Sequence, residues 1–229
     1  MLIVFPYSFS EYMGAALSAL IIVACMIGLT LSKEVYAGIP RRDFFCYFTN
    51  LSNLLVLFYF GMAAPQLYAN AHLSHLIPIV EYCVTMCILL THLVFHFVLL
   101  PHAHRYVQQA ESIADARMMA VNTLFVHYIV PWLTLAYWIF CAPKKHTIPL
   151  YAALLWTLLP CIYAAAIFLR ARFRGNIPGL KTPYPYPFMD AAKYGAMSVI
   201  RSCAGLWFAC VLFSGALLLM IRFLLVLTG

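Results

Sequence analysis

Long uncharged runs recur along the chain, over 12–32, 44–80, 82–104, 118–143, 146–169 and 202–221. Each can supply the roughly 20 apolar residues that cross a hydrocarbon core of about 30 Å. Pro65 and the polar stretch 66–74 divide the second run into one span and a connector. The pattern predicts six helices, near 12–32, 44–64, 78–100, 117–140, 149–169 and 194–224. It defines an all-α integral membrane protein, a six-transmembrane-helix bundle forming one domain over 1–229. The loops are too short for a separate soluble domain, and no internal repeat or low-complexity tract divides the chain.

Two connectors have character of their own. The stretch 105–115 (RYVQQAESIAD) mixes Gln, Glu and Asp with Tyr106, Val107 and Ile113, and reads either as a solvated connector or as a surface helix leading into the fourth span. The stretch 181–190 (KTPYPYPFMD) alternates proline with aromatic residues. Proline fixes φ and drives the preceding residue towards an extended conformation, so no regular helix forms before Phe188. A stiff strap over the cytoplasmic mouth of the bundle is expected.

Composition agrees with the pattern. The chain has 65% hydrophobic and only 9% charged residues, with a mean hydropathy of +0.91, outside the range of ordinary soluble domains. The segment before Tyr12 carries Glu11 and no basic residue, unlike a secretory signal, so the first span is expected to be retained. The eight cysteines lie mainly within the spans with no C-x-x-C pair, which reads as apolar buried thiols.

The net charge of +7 matters through its placement. Lys33, Arg41, Arg42, Arg105, Arg170, Arg172, Arg174, Lys181 and Lys193 fall in the loops after the first, third and fifth helices, with Arg117 at the start of the fourth. Lys144, Lys145 and Arg222 fall on the opposite side. The positive-inside rule puts the odd-numbered loops in the cytoplasm and both termini outside, in the cytoplasmic membrane if the protein is bacterial. Such residues attract anionic headgroups, so membrane lipids are the expected partners and nucleic acid is not.

Polar residues inside apolar spans are expensive and are functional-site candidates by default. At about 1.5 Å per residue, Thr49 lies about 8 Å from the cytoplasmic boundary, His127 about 15 Å, His92 about 12 Å, His96 about 6 Å and Arg201 about 10 Å. In FTNLSN, Thr49, Asn50 and Asn53 share one side of the second helix and should face the bundle interior. Pro131 cannot donate to the carbonyl of His127, so a kink and a freed acceptor are expected at the histidine itself. A neutral imidazole there can take a proton from a hydroxyl. His92 and His96, with Glu81 and Thr85, share a face of the third helix and offer a competing metal or haem constellation. Arg201 is the basic residue set well inside a span, placed to snorkel or to bind an acidic head group.

The segments FFCYFTNLSNLL (44–55), HYIVP (127–131) and YPYPFMD (184–190), in this order and spacing, resemble the androgen-induced and androgen-dependent six-helix membrane hydrolases and their bacterial relatives. The resemblance implies an intramembrane hydrolase of fatty acid esters of hydroxy fatty acids, with Thr49 as nucleophile and His127 as base. The chain departs from the bacterial pattern at Tyr137, where an acidic residue is usual. Asn50 and Asn53 are then the expected oxyanion donors, and His92, His96 and Arg201 the pocket lining, with Tyr186 of the strap among the substrate contacts. A lipid or fatty acyl ester is the expected substrate, and no cofactor or metal is expected. The competing reading is a haem- or metal-binding redox protein using His92, His96 and His127; a lipid or solute carrier is a third.

Overall fold

The computed structural model describes residues 9–35, 44–65, 74–102, 113–142, 145–178 and 180–228. Every regular element among them is helical. Helix α1 is Phe9–Val35. Helix α2 is Phe48–Phe58, prolonged by a π-helical turn, Tyr59–Ala63. Helix α3 is Ile77–Leu93 with a π-helical turn, Val94–Leu99. Helix α4 runs as Ile113–Leu124, a π-helical turn Phe125–Ile129, and Val130–Phe140. Helix α5 has a short opening turn, Ala152–Leu155, before Leu158–Phe173, and α6 is Ala196–Thr228.

Five of these helices are long and apolar enough to cross a membrane, over Tyr12–Lys33, Ile77–Leu99, Asp115–Phe140, Ala152–Phe173 and Ala196–Leu224. This is compatible with a multi-pass membrane protein. The second expected span is shorter, Phe48–Ala63, because residues 45–47 form a turn and Tyr47 is extended (φ −98°, ψ 120°). Thr49 is therefore the second residue of its helix rather than one lying well along it. Most of the stretch 105–115, read as a solvated connector or a surface helix, falls outside the described residues.

Helices α1 to α4 form the packed centre: α1 against α2 and α4, and α3 against α2 and α4. Apolar residues surround α3 on all sides, and it is the most buried of the long helices. Side-chain hydrogen bonds fasten the helices where apolar contact alone would let them slide. The Tyr82 hydroxyl donates to the Ser214 carbonyl at 3.0 Å and Trp156 Nε1 to Ser214 Oγ at 3.1 Å, joining α3, α5 and α6. Asn122 Nδ2 donates to the Gly28 carbonyl at 2.8 Å and to Ser32 Oγ at 2.7 Å, joining α4 to α1.

Each π-helical turn stands just before a proline: Pro65, Pro101 and Pro131. In all three the residue preceding the proline donates five residues back, Ala64 to Tyr59, Leu100 to Phe95 and Val130 to Phe125. Proline removes a donor and its ring crowds the carbonyl four residues before it, and the widened turn relieves that crowding. All eight cysteines are free; Cys25, Cys46, Cys87 and Cys210 are buried, Cys83, Cys141 and Cys203 partly buried, and Cys161 is exposed.

The widened turn of α4 presses on α1 at Gly28, where a Cβ would stand 2.8 Å from Val126 Cγ1 and 3.3 Å from Phe125 Cβ. Because Val126 is branched and buried, it cannot swing aside. Gly28→Ala is expected to cost about 1–3 kcal/mol, read as a lowered thermal unfolding midpoint in detergent micelles. An unchanged midpoint would mean that α1 slides freely against the turn.

Candidate functional site

Helical hydroxyls elsewhere in the chain fold back on the carbonyl four residues earlier. Ser18 donates to Gly14 at 2.8 Å, Thr85 to Glu81 at 2.7 Å and Thr134 to Val130 at 2.8 Å. Thr49 lacks this outlet because Phe45, four residues back, precedes the helix. Its Oγ1 lies instead 3.2 Å from His127 Nε2. With the hydroxyl donating, the ring carries its own proton on Nδ1. The Thr123 carbonyl faces the ring, although Nδ1 closes no hydrogen bond of normal geometry. Phe95, from the π-helical turn of α3, stacks on the imidazole at 3.9 Å and 22°.

The backbone around His127 is held by side chains that fill what Pro131 leaves open. The His127 carbonyl would normally accept from residue 131, which has no N–H; it accepts from His92 Nδ1 at 2.8 Å. The Val126 carbonyl loses its usual donor as well, since the Val130 N–H turns to Phe125. It accepts from Asn53 Nδ2 at 3.2 Å, and the same amide group donates to the Thr49 carbonyl at 2.8 Å. Asn53 thus ties the backbone of Thr49 to the backbone beside His127. Ser52 also donates to the Thr49 carbonyl at 3.0 Å and meets the Thr91 hydroxyl of α3 at 2.7 Å.

These assignments correct several expectations. Asn53 has both amide hydrogens engaged, and Asn50, which donates to the Phe44 carbonyl at 3.0 Å, does not line the cavity described below. Neither is placed as an oxyanion donor. His92 supports the backbone of α4 instead of lining the cavity. His96 is exposed, 3.1 Å from the Tyr128 hydroxyl. Arg201 is exposed on α6, away from the cavity wall. Depth along a helix sets the level of a side chain but not its direction, which is why three residues at the right level miss the site.

Thr49 and His127 open on a cavity of about 160 Å³ lined by α2 to α6 and the strap. Its wall is mostly apolar, with Phe48, Val94, Phe95, Trp156, Phe188 and Met189 among the lining residues. Tyr186 and Met189 of the strap are buried, and Tyr186 stacks on Phe188 at 5.5 Å. The Tyr186 side chain comes close to Thr49, to the backbone of Phe48 and Thr49 at the uncapped start of α2, and to Tyr163. Burial pushes the Tyr186 phenol above its ordinary range, and these polar neighbours oppose the shift. Tyr163 donates in turn to the Cys46 carbonyl at 2.6 Å. Phe95, Tyr163 and Thr91 were not singled out from sequence; nothing distinguishes them there from other apolar-span residues.

His92 and His96 stack at 5.8 Å and His92 bonds the His127 carbonyl, but among the described residues no group of three His, Cys, Asp or Glu side chains could hold a metal ion. Comparison with protein families, curated proteins and solved structures finds no match for the chain. The fold and site define a helical protein, with five helices long and apolar enough to cross a membrane and a hydroxyl–imidazole pair at the wall of an apolar cavity.

His92→Phe keeps a ring in place but removes the donor to the His127 carbonyl. An expected loss of about 1–3 kcal/mol follows from leaving a buried acceptor bare. Unfolding in micelles checks it, and wild-type stability would show that another donor reaches that carbonyl.

Proposed function

We propose that the protein is an intramembrane lipid ester hydrolase related to the six-helix hydrolases that its sequence resembles. The observation that carries this reading is the Thr49 to His127 hydrogen bond at the wall of the apolar cavity. A hydroxyl within reach of a ring nitrogen is a nucleophile paired with its base, and apolar walls suit an acyl chain. Fatty acid esters of hydroxy fatty acids, or similar acyl esters, are the substrate class. In the full reading α2 completes a six-span bundle with both termini outside, as the basic loops require.

Thr49 Oγ1 attacks the acyl carbonyl as Nε2 of His127 takes its proton. The tetrahedral intermediate collapses, the imidazolium gives that proton to the departing alkoxide, and an acyl-threonine remains. Water then attacks the acyl carbon with His127 again as base, releasing the fatty acid and restoring the hydroxyl. The Tyr186 hydroxyl, which lines the same cavity as Thr49, is the donor assigned to the oxyanion in place of Asn50 and Asn53.

Labelling with a fluorophosphonate tests the nucleophile directly. Wild type and Thr49→Ser are expected to label and Thr49→Ala to remain unlabelled, while His127→Ala slows labelling and ester turnover by about 10²–10⁴-fold. Full labelling of a folded Thr49→Ala protein overturns the assignment.

A further inference from the structure

One side of the cavity is closed and another is not. At the strap, Tyr186 and Met189 are buried and close the cavity beside the start of α2. Another wall is the first half of α6. From 196 to 210 its residues are exposed except along one stripe, Val199, Cys203, Leu206 and Cys210, at the helical spacing of a single inward face. Three of these four line the cavity. Over this half the stripe covers a space. Helix α6 is anchored mainly on the opening turn of α5, Ala152–Leu155, and on the 3₁₀ turn Pro187–Met189, rather than along Leu158–Phe173.

Across the gap, Cys161 and Ala164 of α5 also line the cavity, and Cys161 is exposed. Cys161 and Ala164 on one wall and Cys203 and Cys210 on the other are small, with Leu206 and Trp207 beside the latter, and Cys161 and Trp207 face the cavity while remaining exposed to the outside. Outside this part of the molecule are the apolar faces of two membrane-length helices, and when these helices span a bilayer the surrounding medium is hydrocarbon.

We propose that the gap between Leu158–Phe173 of α5 and the first half of α6 is a lateral portal, holding the acyl chain of a bilayer lipid ester while its carbonyl reaches Thr49. This rests on the hydrolase reading for the chemistry but not for the binding. A chain threaded there stays in an apolar surrounding from the bilayer to the nucleophile, and only the ester must leave the lipid phase. Such a path favours long acyl chains over short water-soluble ones.

Plugging the gap separates the two. Ala164→Trp, and independently Cys203→Trp on the facing wall, are assayed in micelles with 4-nitrophenyl palmitate and 4-nitrophenyl acetate, with folding checked by gel filtration. The ratio of kcat/KM for palmitate over acetate is expected to fall at least about tenfold in each variant. An unchanged ratio in both folded variants overturns the portal, whether the two activities persist or fall together. In parallel, a palmitate ester with a terminal diazirine is photolysed in phosphatidylcholine vesicles holding the wild type. Adducts are expected within 158–173 and 196–210 and should be displaced by excess methyl palmitate. Adducts spread evenly over the apolar helices, or undisplaced, overturn the proposal. Displaceable labelling of a wild type that cleaves neither ester overturns the hydrolase reading and leaves the portal standing.

Discussion

A backbone carbonyl that has lost its donor cannot be left bare in an apolar interior, and the centre of this protein is organised around two of them. Pro131 takes away the partner of the His127 carbonyl, and the widened turn it enforces takes away the partner of Val126. His92 fills the first place from α3 and Asn53 the second from α2. An unsatisfied group of this kind costs several kcal/mol in hydrocarbon, so the three helices are held in one relative position. The imidazole rides on the segment that these bonds fix.

The partner hydroxyl depends on a second constraint of the same kind. Helix α2 begins at Phe48, so Thr49 has no helical carbonyl four residues behind it and its hydroxyl is left to bond elsewhere. The early start also leaves the first amides of α2 without helical acceptors, at the place where the buried Tyr186 of the strap packs. Asn53 then spans both arrangements, since its amide holds the Thr49 carbonyl with one hydrogen and the backbone beside His127 with the other. The hydroxyl and the ring meet because the two helix backbones are already joined one turn away.

Packing supports this without adding polar chemistry. Gly28 lets α1 approach the widened turn closely, and Asn122 fixes that approach through the Gly28 carbonyl and Ser32. Phe95 lies against the imidazole from the widened turn of α3, which ends before Pro101. Two proline-induced turns therefore face one another across the site. By contrast, α6 meets the rest of the bundle through its second half and the strap, and its first half bounds a cavity.

The apolar runs determined that the chain is helical, with five helices long and apolar enough to cross a membrane, because a stretch of about 20 apolar residues has few other stable states. Pro131 determined that the helix would be disturbed at His127, since a missing N–H is a covalent fact. The proline-aromatic alternation of 184–188 likewise excluded a regular helix there. Tertiary structure decided what those local rules leave open. Residue spacing specifies level and face within one helix but not the rotation of that helix against its neighbours. His92, His96 and Arg201 therefore looked equivalent along the chain, yet one supports the backbone of α4, one meets Tyr128 and one is exposed. The start of α2, displaced from 44 to 48 by a turn with no distinctive apolar pattern, was equally hidden. Which carbonyl each buried amide fills is a question of which helices touch, and only the folded chain contains that answer.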